Sequence, residues 1–155
     1  MADVSSDLIE ICPFRIREDR GEYLLLRRSA GDPLYPLLWQ FVTGRVEEGE
    51  SSHRAALREL KEETGADGVR LWVVPSVNSF YDPERDCVNI VPLFAAQIDP
   101  AFQVRLSGEH SAFEWLPFEE SMRLLVWPGQ RSCLEIVRRY ILGGEEAGRL
   151  LEIRA

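Results

Sequence analysis

The sequence predicts an α/β fold in one domain spanning residues 1–155, and three observations predict it. Apolar, β-branched and aromatic runs of strand length recur along the chain. Two segments, near 52–64 and 130–142, carry apolar residues on helical spacing instead. The composition, 45% apolar and 28% charged over 155 residues, is that of a globular chain long enough to bury a core without disulfide staples.

The elements follow in order. Residues 1–7 are small and polar and read as frayed. Leu8 to Arg17 partly alternates, Phe14 and Ile16 against Arg15 and Arg17, which predicts a strand; Pro13 suggests an edge or a bulge. Asp19-Arg20-Gly21-Glu22 is a turn, and Tyr23 to Arg27 is a second, more buried strand completing a hairpin. Ser29 to Pro36 holds a glycine and two prolines and reads as a loop. Leu37 to Thr43 is apolar and ends at Gly44. Ser51 or Ser52 can cap the next helix, and Gly65 ends it. Val69–Val77 and Val88–Ile98 are strands around a polar loop, Tyr81 to Asp86. Ala112–Leu116 is a short strand, Pro117 opens a helix over Phe118–Leu125, and Gln130–Leu142 is a last helix closed by Gly143-Gly144.

Charge and cysteine content narrow the function. Eighteen basic against 26 acidic residues give a net charge of −8, which disfavours long nucleic acid and anionic membrane as partners. No apolar run approaches the length of a membrane span, and the opening Met-Ala-Asp-Val-Ser-Ser-Asp lacks a basic-then-apolar leader pattern, so a cytoplasmic location is expected. Cys12, Cys87 and Cys133 are scattered and read as buried thiols, not as a zinc site.

The informative segment is Gly44 to Ala66, GRVEEGESSHRAALRELKEETGA. On a helix, Glu59, Glu62 and Glu63 stand at i, i+3 and i+4 and project from one face, while Leu57 and Leu60 turn toward a core. Clustered carboxylates repel one another, and an unaided helix gains nothing from them. Mg²⁺ favours a few carboxylates together with waters and substrate phosphates. Arg54 and Arg58, also i, i+4, can steady the charge. Taken alone, E-x-x-E-E is more often a solvated acidic face.

The whole segment, however, is similar to the Nudix signature G-x5-E-x7-R-E-U-x-E-E-x-G-U, here Gly44, Glu50, Arg58-Glu59-Leu60, Glu62-Glu63, Gly65 and Ala66. Only Ala66 is smaller than the usual aliphatic residue. The resemblance implies a Nudix fold, a mixed β-sheet sandwiched between helices with a loop–helix–loop catalytic motif. It also implies hydrolysis of a nucleoside diphosphate linked to another group, with Mg²⁺ or Mn²⁺. By position it makes Glu59, Glu62 and Glu63 metal-binding and water-activating carboxylates, with the Gly44 carbonyl as a further ligand. Arg58 is expected to orient the glutamates through Glu50. MutT-like members place another acid in a late loop, which implies Glu109 as the fourth carboxylate, ahead of Glu114; His110 is a weaker candidate for handling a phosphate or a proton.

The flanking run Trp39-Gln40-Phe41-Val42-Thr43-Gly44-Arg45-Val46-Glu47-Glu48-Gly49-Glu50 resembles the dihydroneopterin triphosphate pyrophosphatases, also described as dATP pyrophosphohydrolases, as does the tail from Glu109 to Trp115-Leu116, Trp127 and Arg131. That group implies release of pyrophosphate from a triphosphate. Arg27 and Arg28 end a strand beside the loop, and by alternation one can face a phosphate; Arg27 is the expected one. Trp39, Phe80 and Tyr81 are candidates for stacking on a ring, Gln40 for reading its edge, and Trp127 and Arg131 for closing the site. Other open readings are a Nudix hydrolase of ADP-ribose or a dinucleoside polyphosphate, and a nucleotide-binding Nudix sensor. The expected partner is a small phosphorylated molecule, with the chain a monomer or a homodimer.

Overall fold

The computed structural model describes residues 1–154, so the last position of the expected 1–155 domain lies outside them. The nine strands among the described residues form one mixed sheet. They are β1 (Asp3–Ser5), β2 (Leu8–Arg17), β3 (Arg20–Arg28), β4 (Trp39–Gln40), β5 (Val42–Arg45), β6 (Arg70–Asp82), β7 (Cys87–Gln97), β8 (His110–Leu116) and β9 (Glu152–Ile153). The main path runs β4-β3-β2-β7-β6-β9, with β5 on β2, β8 on β3 and β1 on β7. β1 and β2 run parallel to β7, and the other pairs are antiparallel.

Helix α1 (Ser52–Thr64) covers one face of the sheet. On that side Ala55, Ala56 and Leu60 meet Ile9, Ile11, Leu24, Leu26, Val42 and Phe94. The other face is covered by α2 (Phe118–Leu124) and by α3 (Pro128–Ile136) with its π-helical continuation Val137–Leu142. There Leu125, Cys133, Leu134 and Val137 meet Cys12, Phe14, Tyr23, Leu25 and Leu93. The alternation of strand side chains divides each strand between the two cores: Leu24 and Leu26 go to one, Tyr23 and Leu25 to the other. Burial on both faces explains why Tyr23 to Leu26 reads as a continuous apolar run. This is the expected sheet between helices.

Four readings need correction. Pro13 lies in an interior strand, flanked by β7 on one side and by β5 and β3 on the other. Phe14 O accepts from Ile98 N, so the neighbouring Pro13 nitrogen faces away from β7. On that side β5 pairs only as far as Ile11 and β3 begins at Phe14, so the missing N–H falls in the gap between two partners. Residues 3–5 are not frayed but pair with β7. Tyr81 and Asp82 belong to β6, so the loop after them is shorter than expected. The C-terminal helix is π-helical over Val137–Leu142, and a short α4 (Glu146–Leu150) and β9 follow it.

Gly65 ends α1 as expected, at φ 81° with its N–H on Lys61 O. Ser51 occupies the N-cap position without a capping side-chain bond. Cys12, Cys87 and Cys133 are buried free thiols. Among the described residues, no helix is long and apolar enough to cross a membrane.

Candidate active site

The acidic helix α1 is not uniformly solvated along its carboxylate face. Glu62 is exposed, Glu59 is half-buried, and Glu63 is only 3% exposed. Burial is the main reason that the Glu63 carboxyl is pushed up to about 9; the charges of Glu59 and Glu109, and then Glu62, add to it, while Arg28 opposes it. Its Oε2 has no hydrogen-bond partner. Burial also raises Glu59, against the pull of Arg58.

Arg58 bonds to three glutamates, Glu50, Glu59 and Glu62. Its Nε and Nη2 reach the two Glu50 oxygens at 2.9 and 3.0 Å, and its Nη1 reaches Glu59 at 2.8 Å and Glu62 at 3.4 Å. Nη2 also donates to Arg45 O at 2.8 Å, tying the helix to the end of β5. The fork holds the Glu50 carboxyl below its ordinary range, chiefly through the Arg58 bond. Arg54 is exposed and forms no recorded ion pair among the described residues. Gly44, in β5, lies directly under Glu59: a Cβ there would sit 2.5 Å from Glu59 Oε1 and closer still to its Cγ and Cδ.

Glu63 and Glu109 line a small cleft of about 350 Å³ together with Arg28, Gln40, Thr43 and His110. Arg28 Nη1 donates to Gln40 Oε1 at 3.1 Å, and Gln40 Nε2 lies 3.4 Å from His110 Nε2. His110 is buried and burial lowers its pKa; its Nδ1 is unpartnered. An irregularity in the β3–β8 ladder pairs Arg28 with His110 and passes over Ser111, which sets both side chains on the α1 side.

A larger cleft of about 650 Å³ adjoins the small one and shares Arg28, Gln40 and Thr43 with it. Its walls carry Tyr35, Phe80, Tyr81 and Trp127, all well exposed, with Tyr35 and Trp127 edge to face at 5.4 Å. Glu10 and Gln130 line it although each is under 5% exposed. Burial pushes the Glu10 carboxyl up to about 7, against the Gln130 bond.

The arrangement sorts the expected residues. Glu59, Glu62, Glu63, Glu109 and Gly44 lie around α1 and the loop before β8. Gln40, Tyr81, Phe80 and Trp127 line the clefts. Arg28 lines both, whereas Arg27 points to the other face, bonded to Ser111 Oγ at 3.1 Å with its guanidinium 5.8 Å from the Trp39 ring. Trp39 packs on the α3-side core, outside either cleft lining. Arg131 is exposed on α3 and also outside the linings, and Glu114 is an exposed strand residue opposite Leu25. Glu10, Gln130, Asn78 and Tyr35 were not anticipated. Glu10 did carry a signal: it stands in period two with Leu8, Cys12 and Phe14 in an apolar strand, where a carboxylate is out of place.

Oxygen donors suit a hard divalent cation. Among the described residues no three His, Cys, Asp or Glu side chains already converge on one cation position, because Glu59 is turned to Arg58 and Glu62 to solvent. The donor set nevertheless fits such an ion: a buried carboxylate with an orphaned oxygen lies among three further acids that resist its ionisation without a counter-charge.

A profile of the NUDIX domain matches residues 11–135. The chain belongs to the Nudix family. Among curated relatives, the octanoyltransferase of Myxococcus xanthus is 34% identical over 82% of this chain, which spans only 35% of that protein. The asymmetrical bis(5'-nucleosyl)-tetraphosphatase of Sus scrofa is 32% identical over 74% of this chain and 76% of its own length. Among solved structures, the binary complex of the C. elegans Ap4A hydrolase has a TM-score of 0.77 at 22% identity, covering 90% of this chain and 99% of that one; at that identity the match speaks to the fold alone. The E. coli dihydroneopterin triphosphate pyrophosphohydrolase has a TM-score of 0.69 at 25% identity, covering 88% of this chain and 96% of that one. The Nudix assignment therefore agrees with the fold, the motif and the acid cluster, and the chain is a member of the Nudix hydrolases, enzymes that generally use divalent metals.

Proposed function

We propose that this Nudix protein is a Mg²⁺-dependent pyrophosphohydrolase that splits a nucleoside or pterin triphosphate into a monophosphate and pyrophosphate by attack of water on phosphorus. The observation that carries the reading is the junction of two clefts. A small cleft holding Glu63 and Glu109 shares Arg28, Gln40 and Thr43 with a larger one walled by aromatic side chains. A polyphosphate fits the first environment and a flat ring the second. The likeness to the dihydroneopterin triphosphate pyrophosphohydrolase supports the choice of a triphosphate.

Glu59, Glu62, Glu63, Glu109 and the Gly44 carbonyl would hold the metal, with Mn²⁺ as a substitute. When bound, such an ion neutralises polyphosphate oxygens and lowers the pKa of water. The protein's own groups do the rest. Arg58 keeps Glu59 in place through one bond, while two bonds to Glu50 fix the guanidinium itself. Arg28, in the wall between the clefts, offers its guanidinium to a phosphate oxygen in place of Asp32, which it now holds at 2.6 Å. A carboxylate of the cluster accepts the proton of the attacking water. The partner is thus a small phosphorylated molecule, not a long nucleic acid or a membrane.

The test is product analysis with Mg²⁺ and a panel of dNTPs, dihydroneopterin triphosphate, ADP-ribose and diadenosine tetraphosphate. Monophosphate plus pyrophosphate supports the proposal. Preferential cleavage of diadenosine tetraphosphate or ADP-ribose moves the substrate class, and tight binding without turnover of any of them replaces the enzyme by a sensor.

A further inference from the structure

Three neighbouring strands set three polar side chains on one face of the sheet. β3 pairs with β4 through Leu26 and Arg27, and with β8 from Tyr23 to Arg28, so β4 and β8 flank its end. Gln40 is the register partner of Leu26, and Leu26 shares its face with Arg28, two positions on. In a regular ladder Arg28 would stand opposite Ser111; the irregularity after Arg27 brings His110 opposite it instead. The backbone around His110 is pinned: Ser29 N donates to Glu109 O at 3.2 Å, and His110 N to Ser107 O at 3.4 Å. Gln40 and His110 are buried, 5% and 7% exposed, whereas the Arg28 side chain remains 26% exposed.

The hydrogen bonds among the three run in one direction. A guanidinium only donates, so the Gln40 atom 3.1 Å from Arg28 Nη1 is the carbonyl oxygen. The Gln40 amine then meets His110 Nε2 at 3.4 Å, and an amide amine also only donates. His110 Nε2 is therefore the acceptor, and the ring proton sits on Nδ1. Turned over, the amide would set its amine against the Arg28 donors, and its oxygen against a ring nitrogen with no proton to give. Arg28 and His110 thus hold Gln40 in one orientation. Arg28 Nε and Nη2 are on Asp32, at 2.8 and 2.6 Å. When a phosphate takes the place of Asp32, the bond from Nη1 to Gln40 is the contact that still fixes the guanidinium plane. We infer that His110 is a positioning residue, which acts through Gln40 to aim the Arg28 guanidinium at a phosphate of the substrate. The inference rests on the reading above that Arg28 receives such a phosphate.

The experiment measures KM for the preferred triphosphate, and the Kd of inorganic triphosphate with Mg²⁺ by calorimetry, on the full chain and on variants judged folded by their melting transitions. His110→Leu removes the acceptor and should raise KM and Kd about threefold to tenfold. His110→Gln carries an amide oxygen out to the place of Nε2 and should bring both back to within about twofold of wild type. His110→Asn reaches only as far as Nδ1 and should behave as His110→Leu, a ranking that mere burial of a polar group would not produce. In an Arg28→Ala background, His110→Leu should change neither constant by more than about twofold, because the residue it acts on is gone. Wild-type constants in folded His110→Leu, His110→Gln no better than His110→Asn, or an undiminished effect in the absence of Arg28 overturns the inference. If His110→Leu does not fold, the comparison of Gln with Asn decides alone. Variants that alter neither constant while the wild type releases pyrophosphate remove the inference and leave the pyrophosphohydrolase standing. The expected ranking of Kd without hydrolysis of any triphosphate does the reverse.

Discussion

Gly44→Ala tests whether the backbone of β5 and the helix carboxylates form one unit. Gly44 does not have a positive φ, so alanine is acceptable to the backbone, and in the unfolded chain it restricts freedom by about 0.4–1 kcal/mol in favour of folding. The obstacle is Glu59. A Cβ at position 44 would lie 2.5 Å from Glu59 Oε1 and closer to the two carbons before it, where ordinary contact begins at 3.4 Å. The carboxylate must therefore retreat by roughly 1 Å, and a misplacement of that size at a reacting centre costs on the order of 10²-fold in rate. Overpacking costs about 1–3 kcal/mol, which after the backbone gain leaves about 1–2 kcal/mol. In a chain of 155 residues that is a fall of roughly 3–6 °C in Tm. The assay is kcat and Mg²⁺ dependence against the preferred triphosphate, with a thermal melt. Gly68→Ala is the control: Gly68 has φ +63° and open space at its Cβ, so alanine strains the backbone and lowers stability without touching Glu59. Gly44→Ala with wild-type kcat and metal dependence, or Gly68→Ala losing as much activity, would refute the reasoning.

Three further predictions follow from the same geometry. Glu63→Gln should lower kcat by at least about 10²-fold with Tm almost unchanged without metal, because the buried carboxyl is already neutral at pH 7 in that state; wild-type turnover would remove Glu63 from the site. Arg28→Ala should raise KM for the triphosphate about tenfold or more, and Arg27→Ala should leave it within about twofold, since only Arg28 lines the clefts; equal effects in steady-state kinetics would contradict the placement. The third concerns pH. Glu10 has its folded carboxyl near 7 against an ordinary 4.5, so it favours folding fully below 4.5 and loses that contribution as pH rises from 4.5 through 7. The change is on the order of 3 kcal/mol. Melts of the metal-free protein at pH 5 and pH 8 should therefore differ less in Glu10→Gln than in the wild type, and identical differences would show that Glu10 does not titrate in that window.

The motif was legible because its chemistry is local. Glu59, Glu62 and Glu63 share a helical turn whatever the rest of the chain does, and the Arg58 fork to Glu50 spans only eight residues. Helix α1, its Gly65 terminus and most strands were likewise written in short-range pattern. Pro13 misled because proline in a strand reads as an edge signal, and only the neighbours show that an interior strand can change partners there. The fraying assigned to residues 1–7 failed for the same reason: β1 is held by a partner more than eighty residues away.

The choice between Arg27 and Arg28 marks the boundary. Alternation alone determined that one of them would face a site, and it also determined that Arg28 shares a face with Leu24 and Leu26. Which face α1 would cover is a long-range packing outcome, and once α1 took the Leu24 side, Arg28 joined Glu63 and Arg27 was left against Trp39. Glu10 and Gln130 are 120 residues apart and meet only when α3 lies across β2. The sequence by itself therefore determined the acid cluster, set by spacing within one segment, and through the resemblance of that segment to the Nudix signature it implied the family and its hydrolytic chemistry. The tertiary structure decided which arginine lines the two clefts and that Glu10 meets Gln130, because contacts between distant strands and helices follow from packing that no local pattern encodes.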